Sequence, residues 1–367
     1  MKFFKAGGSP DYQFLYLLII LTLFGLIILA SASFALAKEK FNDNFFYLKR
    51  QILYGLIPGI LGFLIAYFFP YEKYKKLALI FIIINIILLI LVKFSPLGIK
   101  AGGSERWLAL GPISFQPSEL LKITYIIYIA AWISNVRANR VNNFSKGFLP
   151  FLLISGVIGF LLYIEPATTL LVIVIGTGFA LYFINGAKFK YFLILFSIAA
   201  LVGLWIYFEG GYRFNRIYSF LNPDKDIYGS GYHLNQSLIT VGSGGLFGFG
   251  FGKSTTKYGI LPEPIGDSIF AVAAQELGFV GAGTLIVLLL YFIFRIFYLS
   301  LKAKTRFGQL ILIGFGLIIG VQSLVHILVA IGLAPTTGIP LPFVSYGGTS
   351  LAVFLTMSGI ILNISKK

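Results

Sequence analysis

Apolar residues in this chain come in long, nearly unbroken runs separated by short polar stretches, with little alternation between them. Runs of near membrane length lie at 12–37, 52–69, 77–92, 118–133, 148–164, 168–185, 191–208, 268–294, 308–332 and 340–363. A hydrocarbon core of roughly 30 Å takes about 20 helical residues. Lipid gives an open backbone N–H or C=O no partner, so each run is expected to be a helix. The pattern predicts an all-α polytopic integral membrane protein of about ten transmembrane helices. It forms one domain over 1–367. The first run ends in ALAK (35–38), which mimics a signal cleavage site. It is longer than a signal-peptide core and is followed by many similar runs, so it is read as a span.

An even number of spans puts both termini on one side. With that side cytoplasmic, the inner segments carry sixteen Lys and Arg, while the outer ones carry twelve over about twice the length, as the positive-inside rule favours. Most acids then fall outside. One outer connection, 209–267 between the seventh and eighth runs, is far longer than the rest and holds Asp224, Asp226, Glu263 and Asp267. Long loops on a rigid scaffold are where function concentrates.

Composition agrees with a membrane protein: 58% of residues are hydrophobic, 17% aromatic and 11% charged. The net charge of +16 fits basic loops against anionic lipid and not a nucleic-acid partner. With no cysteine there is no disulfide, thiolate metal site or cysteine nucleophile. The two histidines, His233 and His326, are far apart in the chain, so a His-ligated metal is not expected.

The candidate chemistry starts with LPEPIGDSIF (261–270), which places Asp267 at the mouth of the eighth run. The residue types allow an N-cap for a helix starting at Ser268. They equally allow a carboxylate held at the membrane edge for catalysis, or for ligating a divalent cation such as Mg or Mn. Glu263, between two prolines, is expected in extended backbone nearby. Arg213, Arg216, Lys253 and Lys257 in the same loop offer either lipid-headgroup contacts or a cationic pocket for a pyrophosphate. The run GSGGLFGFGFGKS (242–254) lacks the glycine spacing of a nucleotide-binding loop. Its glycines suit a re-entrant backbone that approaches the membrane or a ligand closely. Glu119 and Lys122, one turn apart at the start of a span, read as a structural ion pair or as cavity lining. Gln322 and His326 share a helix face and read as interhelical hydrogen-bonding groups. PTTGIPLPFVSYGGTS (335–350) is a Pro/Gly-rich entry to the last run, with Ser345, Thr349 and Ser350 as possible lining of a polar cavity.

Four stretches together, GSERWLALGPISFQPSELLK (103–122), GYHLNQSLITVGSGGLFGFGFG (231–252), LPEPIGDSIFAVAAQELGFVG (261–281) and GLAPTTGIPLPFVSYGGTS (332–350), resemble the SEDS family (shape, elongation, division and sporulation), which includes FtsW and RodA. RIYSFLNPDKD, GSGYHLNQSL and PLPFVSYGGTS look closer to the division branch, FtsW. Where family members commonly have His-Thr-Asp-Phe, this chain has Ile265-Gly266-Asp267-Ser268, keeping the Asp with different neighbours. The resemblance implies a peptidoglycan glycosyltransferase that polymerises lipid II on the outer face of the bacterial cytoplasmic membrane, with Asp267 as its essential carboxylate. From their residue types and places in the chain, Arg213, Arg216, Gln236, Ser243, Lys253, Glu263, Ser345, Thr349 and Ser350 are the candidates for substrate binding. The resemblance also implies a class B penicillin-binding transpeptidase as partner, among other divisome or elongasome proteins. A lipid II flippase and a non-catalytic division scaffold are the competing expectations.

Overall fold

The structure is a computed structural model and describes residues 9–101, 104–111, 113–135, 140–222 and 231–366. Each apolar run coincides with a helix. In chain order these are α1 (Tyr12–Phe41), α2 (Phe46–Phe68), α3 (Tyr71–Phe94), α4 (Pro117–Ile133), α5 (Phe144–Ile164), α6 (Thr168–Ile184) and α7 (Phe189–Glu209). Two short helices outside the runs follow, α8 (Gly211–Leu221) and α9 (Tyr232–Ser243). The series ends with α10 (Ile269–Leu301), α11 (Arg306–Ala330) and α12 (Gly348–Ser365). Among the described residues eight of these helices are long and apolar enough to cross a membrane, and α4 and α6 are 17-residue helices packed among them.

The chain is predominantly helical, as expected, with one small addition: a three-stranded antiparallel sheet, β1 (Gly98–Ala101), β2 (Ser104–Leu110) and β3 (Ile113–Phe115), joins α3 to α4. The last helix starts at Gly348 and not near 340, because Pro340 and Pro342 cannot donate the backbone bonds a helix needs. The apolar residues before it, Ile339, Leu341, Phe343 and Val344, are buried as a folded loop inside the bundle. Among its described residues the connection 209–267 contains α8 and α9 and a glycine-rich return against α10.

Small residues bring the helices together. Gly55, Gly59 and Gly62 of α2 face Gly348, Ala352 and Thr356 of α12, and Gly359 of α12 lies on the backbone of Phe63. Lipid gives no hydrophobic drive for helices to associate, so such close approach supplies the van der Waals contact that holds them.

Two polar clusters join α1 to α10 at separate heights. At one, Asp11 caps α1 by accepting the N–H of Phe14, and Arg295 of α10 donates to both its oxygens at 2.6 and 3.1 Å. At the other, Ser31 of α1 donates to Glu276 of α10, which pairs with Lys257 at 2.7 Å. With about 1.5 Å of rise per residue, the two clusters are roughly 30 Å apart along the unbroken helix α1. That distance is about one hydrocarbon thickness.

Near the second cluster α10 breaks. Gly278 has φ 68° and ψ −169°, which removes the helical bonds expected from residues 279 and 280 to the carbonyls of 275 and 276. The glycine-rich segment takes up all four groups. Phe249 N–H donates to Gln275 O and Gly250 N–H to Glu276 O, while Phe279 N–H donates to Gly245 O and Val280 N–H to Leu246 O. The approach is close enough that a Cβ on Gly244 or Gly248 would overlap the carbonyl oxygens of Ala274 and Glu276. The expected close approach is therefore made to a helix backbone.

Candidate active site around Asp267

Asp267 lies two residues before α10, in a turn built by three elements. Glu263 O accepts the N–H groups of Gly266 and Ser268, closing the turn. Ser345 donates to Gly266 O at 2.9 Å, and Tyr346 N–H donates to Ile265 O at 2.8 Å, so the loop before α12 clamps the turn. His233 of α9 lies 2.8 Å from Ser268 Oγ, which donates to Pro262 O. The loop before α12 is itself held by α11, where Gln322 donates to Pro340 O and His326 bonds Ile339 O.

Of the two readings open for Asp267, the N-cap does not occur: Ser268 is the cap residue of α10, and its side chain makes no capping hydrogen bond. The carboxyl faces Gly338 instead. A Cβ at Gly338 would lie 3.6 Å from Asp267 Oδ2 and 3.7 Å from Arg216 Nη2, so the bare glycine leaves room where a carboxylate and a guanidinium converge. Burial, and then the neighbouring charge of Glu263, push Asp267 up to about 6; Arg216 and Arg106 oppose the rise. Both arginines therefore act on the same carboxyl.

Arg106 was not singled out in the sequence. It projects from β2 and donates to Glu165 O at 3.1 Å and Pro166 O at 2.7 Å, joining the sheet to the α5–α6 turn. Thr169, just inside α6, donates to Thr337 O beside Gly338 and brings that turn to the same cradle. Burial pushes the carboxyl of Glu165 up to about 8, against the charge of Arg106. Beside Ser104 and Glu105 in β2, Arg106 has no sequence feature that sets it apart.

The other expected residues divide. Arg216 and Glu263 join Asp267, although Glu263 is exposed and left-handed at φ 45°, not extended. Ser345 is buried and supports the turn through the backbone. Thr349 accepts the N–H of Gln116, and Ser350 is buried in α12, so the structure gives these two packing and capping contacts rather than an open polar lining. Ser243 is bonded to Gln275, and Gln236 is a partly buried residue of α9. Lys253 is exposed beside Gly250. Lys257 is withdrawn from any phosphate pocket: its side chain is 1% exposed and is spent on Glu276, Ser31 and Gly252 O. Glu119 and Lys122 form a buried ion pair at 2.8 Å, with Lys122 over the ring of Phe354. The backbone of Arg213 belongs to α8, and its side chain, like all of Asp224 and Asp226, lies outside the described residues.

Among the described residues no three His, Cys, Asp or Glu converge as a cage for a metal. Asp267 and Glu263 are a donor set that fits a hard divalent cation only when phosphate oxygens complete it, the manner in which Mg is commonly held.

The family model of FtsW, RodA and SpoVE, described as "Cell cycle protein", matches residues 12–367. Stage V sporulation protein E of Bacillus subtilis (strain 168) is 37% identical over 361 residues, covering 98% of this chain and 97% of its own. The "Probable peptidoglycan glycosyltransferase FtsW" of Geobacter sp. (strain M18) is 36% identical over 358 residues, covering 97% of each. Among solved structures, a chain described under "Structural coordination of polymerization and crosslinking by a peptidoglycan synthase complex" superposes with TM-score 0.81 at 26% identity, covering 97% of this chain and 98% of its own. Rod shape determining protein RodA of Thermus thermophilus gives 0.70 at 25% identity, covering 97% of each.

Proposed function

The chain belongs to the FtsW/RodA/SpoVE family and is a peptidoglycan glycosyltransferase of the membrane; from that premise we propose that it polymerises lipid II at the Asp267 site. In this reading the 4-hydroxyl of an incoming lipid II GlcNAc attacks the anomeric carbon of the lipid-linked strand with inversion. The new glycosidic C–O bond forms as the bond to the pyrophosphate breaks, and undecaprenyl pyrophosphate leaves. Asp267 accepts the hydroxyl proton. What supports this role is its uncapped carboxyl in the gap at Gly338, with a pKa close enough to neutrality for a general base that is ionised at working pH.

Arg216, on the other side of that gap, stabilises the departing pyrophosphate, with Arg213 and Lys253 as further cations of the same loop. Arg106 holds the α5–α6 turn and biases Asp267 toward its ionised form. A divalent cation, if bound, would be held by Asp267 and Glu263 and would neutralise phosphate charge. The termini face the cytoplasm and Asp267 the outer side, in keeping with the distribution of Lys and Arg. The relatives named FtsW favour the division branch, and with it septal wall synthesis as the setting. The likeness to a synthase complex that coordinates polymerization with crosslinking supports a class B penicillin-binding transpeptidase as partner, within a larger divisome.

The test is strand synthesis by purified protein with its transpeptidase, lipid II and Mg or Mn, beside Asp267→Asn. Strands from wild type only, with lipid II bound by both, support the assignment. Strands from both remove Asp267 from the chemistry. Strands from neither, with headgroup crossing proteoliposomes, would replace polymerisation by transport.

A further inference from the structure

The glycine-rich return carries apolar side chains it does not bury. Leu246, Phe247, Phe249 and Phe251 are exposed, Phe247 to 79%. A loop in water seldom presents so contiguous an apolar surface. Its backbone is nonetheless fixed by four hydrogen bonds to α10 between residues 275 and 280. That places it beside Glu276, one hydrocarbon thickness from the Asp11–Arg295 pair, at the membrane boundary on the Asp267 side. The residues it pairs with continue the exposed face of the span. Phe294, Leu290, Val287, Val280 and Phe279 are exposed at helical spacing along α10, and the loop extends this stripe beyond the break at Gly278. Lys253, where the apolar stretch ends, is exposed, and its charge suits the headgroup layer.

We infer that residues 246–251 form an interfacial wedge that dips into the leaflet at the Asp267 end of the protein, with lipid hydrocarbon as its partner. The geometry meets the requirement that irregular backbone at membrane depth be satisfied by protein, since the loop and the broken helix satisfy each other's groups. The wedge also has a use. Residues 269–276 rise about 10 Å along α10, and Asp267 lies in the turn just beyond their outer end. A loop locked to α10 and wetted by lipid therefore fixes the height of the carboxyl above the hydrocarbon, in the layer where a lipid-linked headgroup sits. The inference stands independently of the reaction assigned to Asp267.

Because the chain has no cysteine, Phe247→Cys, Phe249→Cys and Lys253→Cys each carry one spin label at a single site. The full chain is reconstituted in phosphatidylethanolamine–phosphatidylglycerol liposomes, and relaxation by oxygen is compared with relaxation by an aqueous nickel chelate. The expected result is oxygen ahead of nickel at 247 and 249 and the reverse order at 253. Nickel ahead at 247 and 249 overturns the wedge. Poor access to both reagents there also overturns it, because a protein surface then covers the loop. If the labelled variants do not fold, hydroxyl-radical footprinting of the unaltered protein reads the same surface. Protection of Phe247 and Phe249 equal to that of Phe294 supports the wedge, and their oxidation as a water-exposed loop overturns it.

Discussion

Asp267 owes its character to opposing neighbours, and each can be removed. Asp267→Asn should lower strand synthesis by about 10²–10⁴-fold while lipid II binding is retained, measured by strand yield beside a binding assay. A base pushed up to about 6 loses its active, ionised form as pH falls through that value, so wild-type activity should show an acid limb near pH 6. Arg216 lowers the value and Glu263 raises it. Arg216→Gln should therefore move the limb to higher pH and Glu263→Gln to lower pH, read from pH–rate profiles of the two variants. The same shift bears on stability. The folded protein binds this proton more tightly than the unfolded chain, so the contribution of Asp267 to stability falls as pH rises from about 4 to about 6. The sequence made Asp267 visible because an acid at the edge of an apolar run is conspicuous. Arg106 was hidden, because only the packing of β2 against the α5–α6 turn connects it with a carboxyl distant in the chain. The left-handed backbone of Glu263 was hidden for a similar reason: the turn is set by bonds to its carbonyl and by the Ser345 and Tyr346 clamp, not by its prolines alone.

Among the elements, long apolar runs made the helices legible, since composition alone forces that structure in lipid. The sequence was less informative where apolar residues are buried by protein rather than by lipid, as in 339–344, where Pro340 and Pro342 were the available warning. The Lys257–Glu276 pair joins α1, α10 and the glycine-rich return, with both side chains almost wholly buried. Lys257→Met leaves Glu276 without its cation and should cost about 3–5 kcal/mol. Thermal unfolding in detergent checks this, with Lys49→Met, whose partner Asp43 is on the surface, expected to change little. Gly248→Ala should also lower the unfolding temperature, because its φ of 76° and its contact with the Glu276 carbonyl leave no place for a methyl group.

For the whole molecule, the sidedness inferred from Lys and Arg makes a direct prediction. In intact cells a membrane-impermeant maleimide should label Lys253→Cys, and should label Lys304→Cys only after the cells are opened; the opposite pattern would invert the topology. The two buried polar clusters have a consequence of their own. The Asp11–Arg295 pair and the Glu276–Lys257–Ser31 cluster are held apart by the unbroken helix α1, which cannot stretch. The protein is thus built to one bilayer thickness, and hydrophobic mismatch must be met by tilt or by deformation of the lipid. In liposomes of graded acyl-chain length, catalysis should peak where the hydrocarbon matches that span, making membrane composition a variable of wall synthesis in its own right.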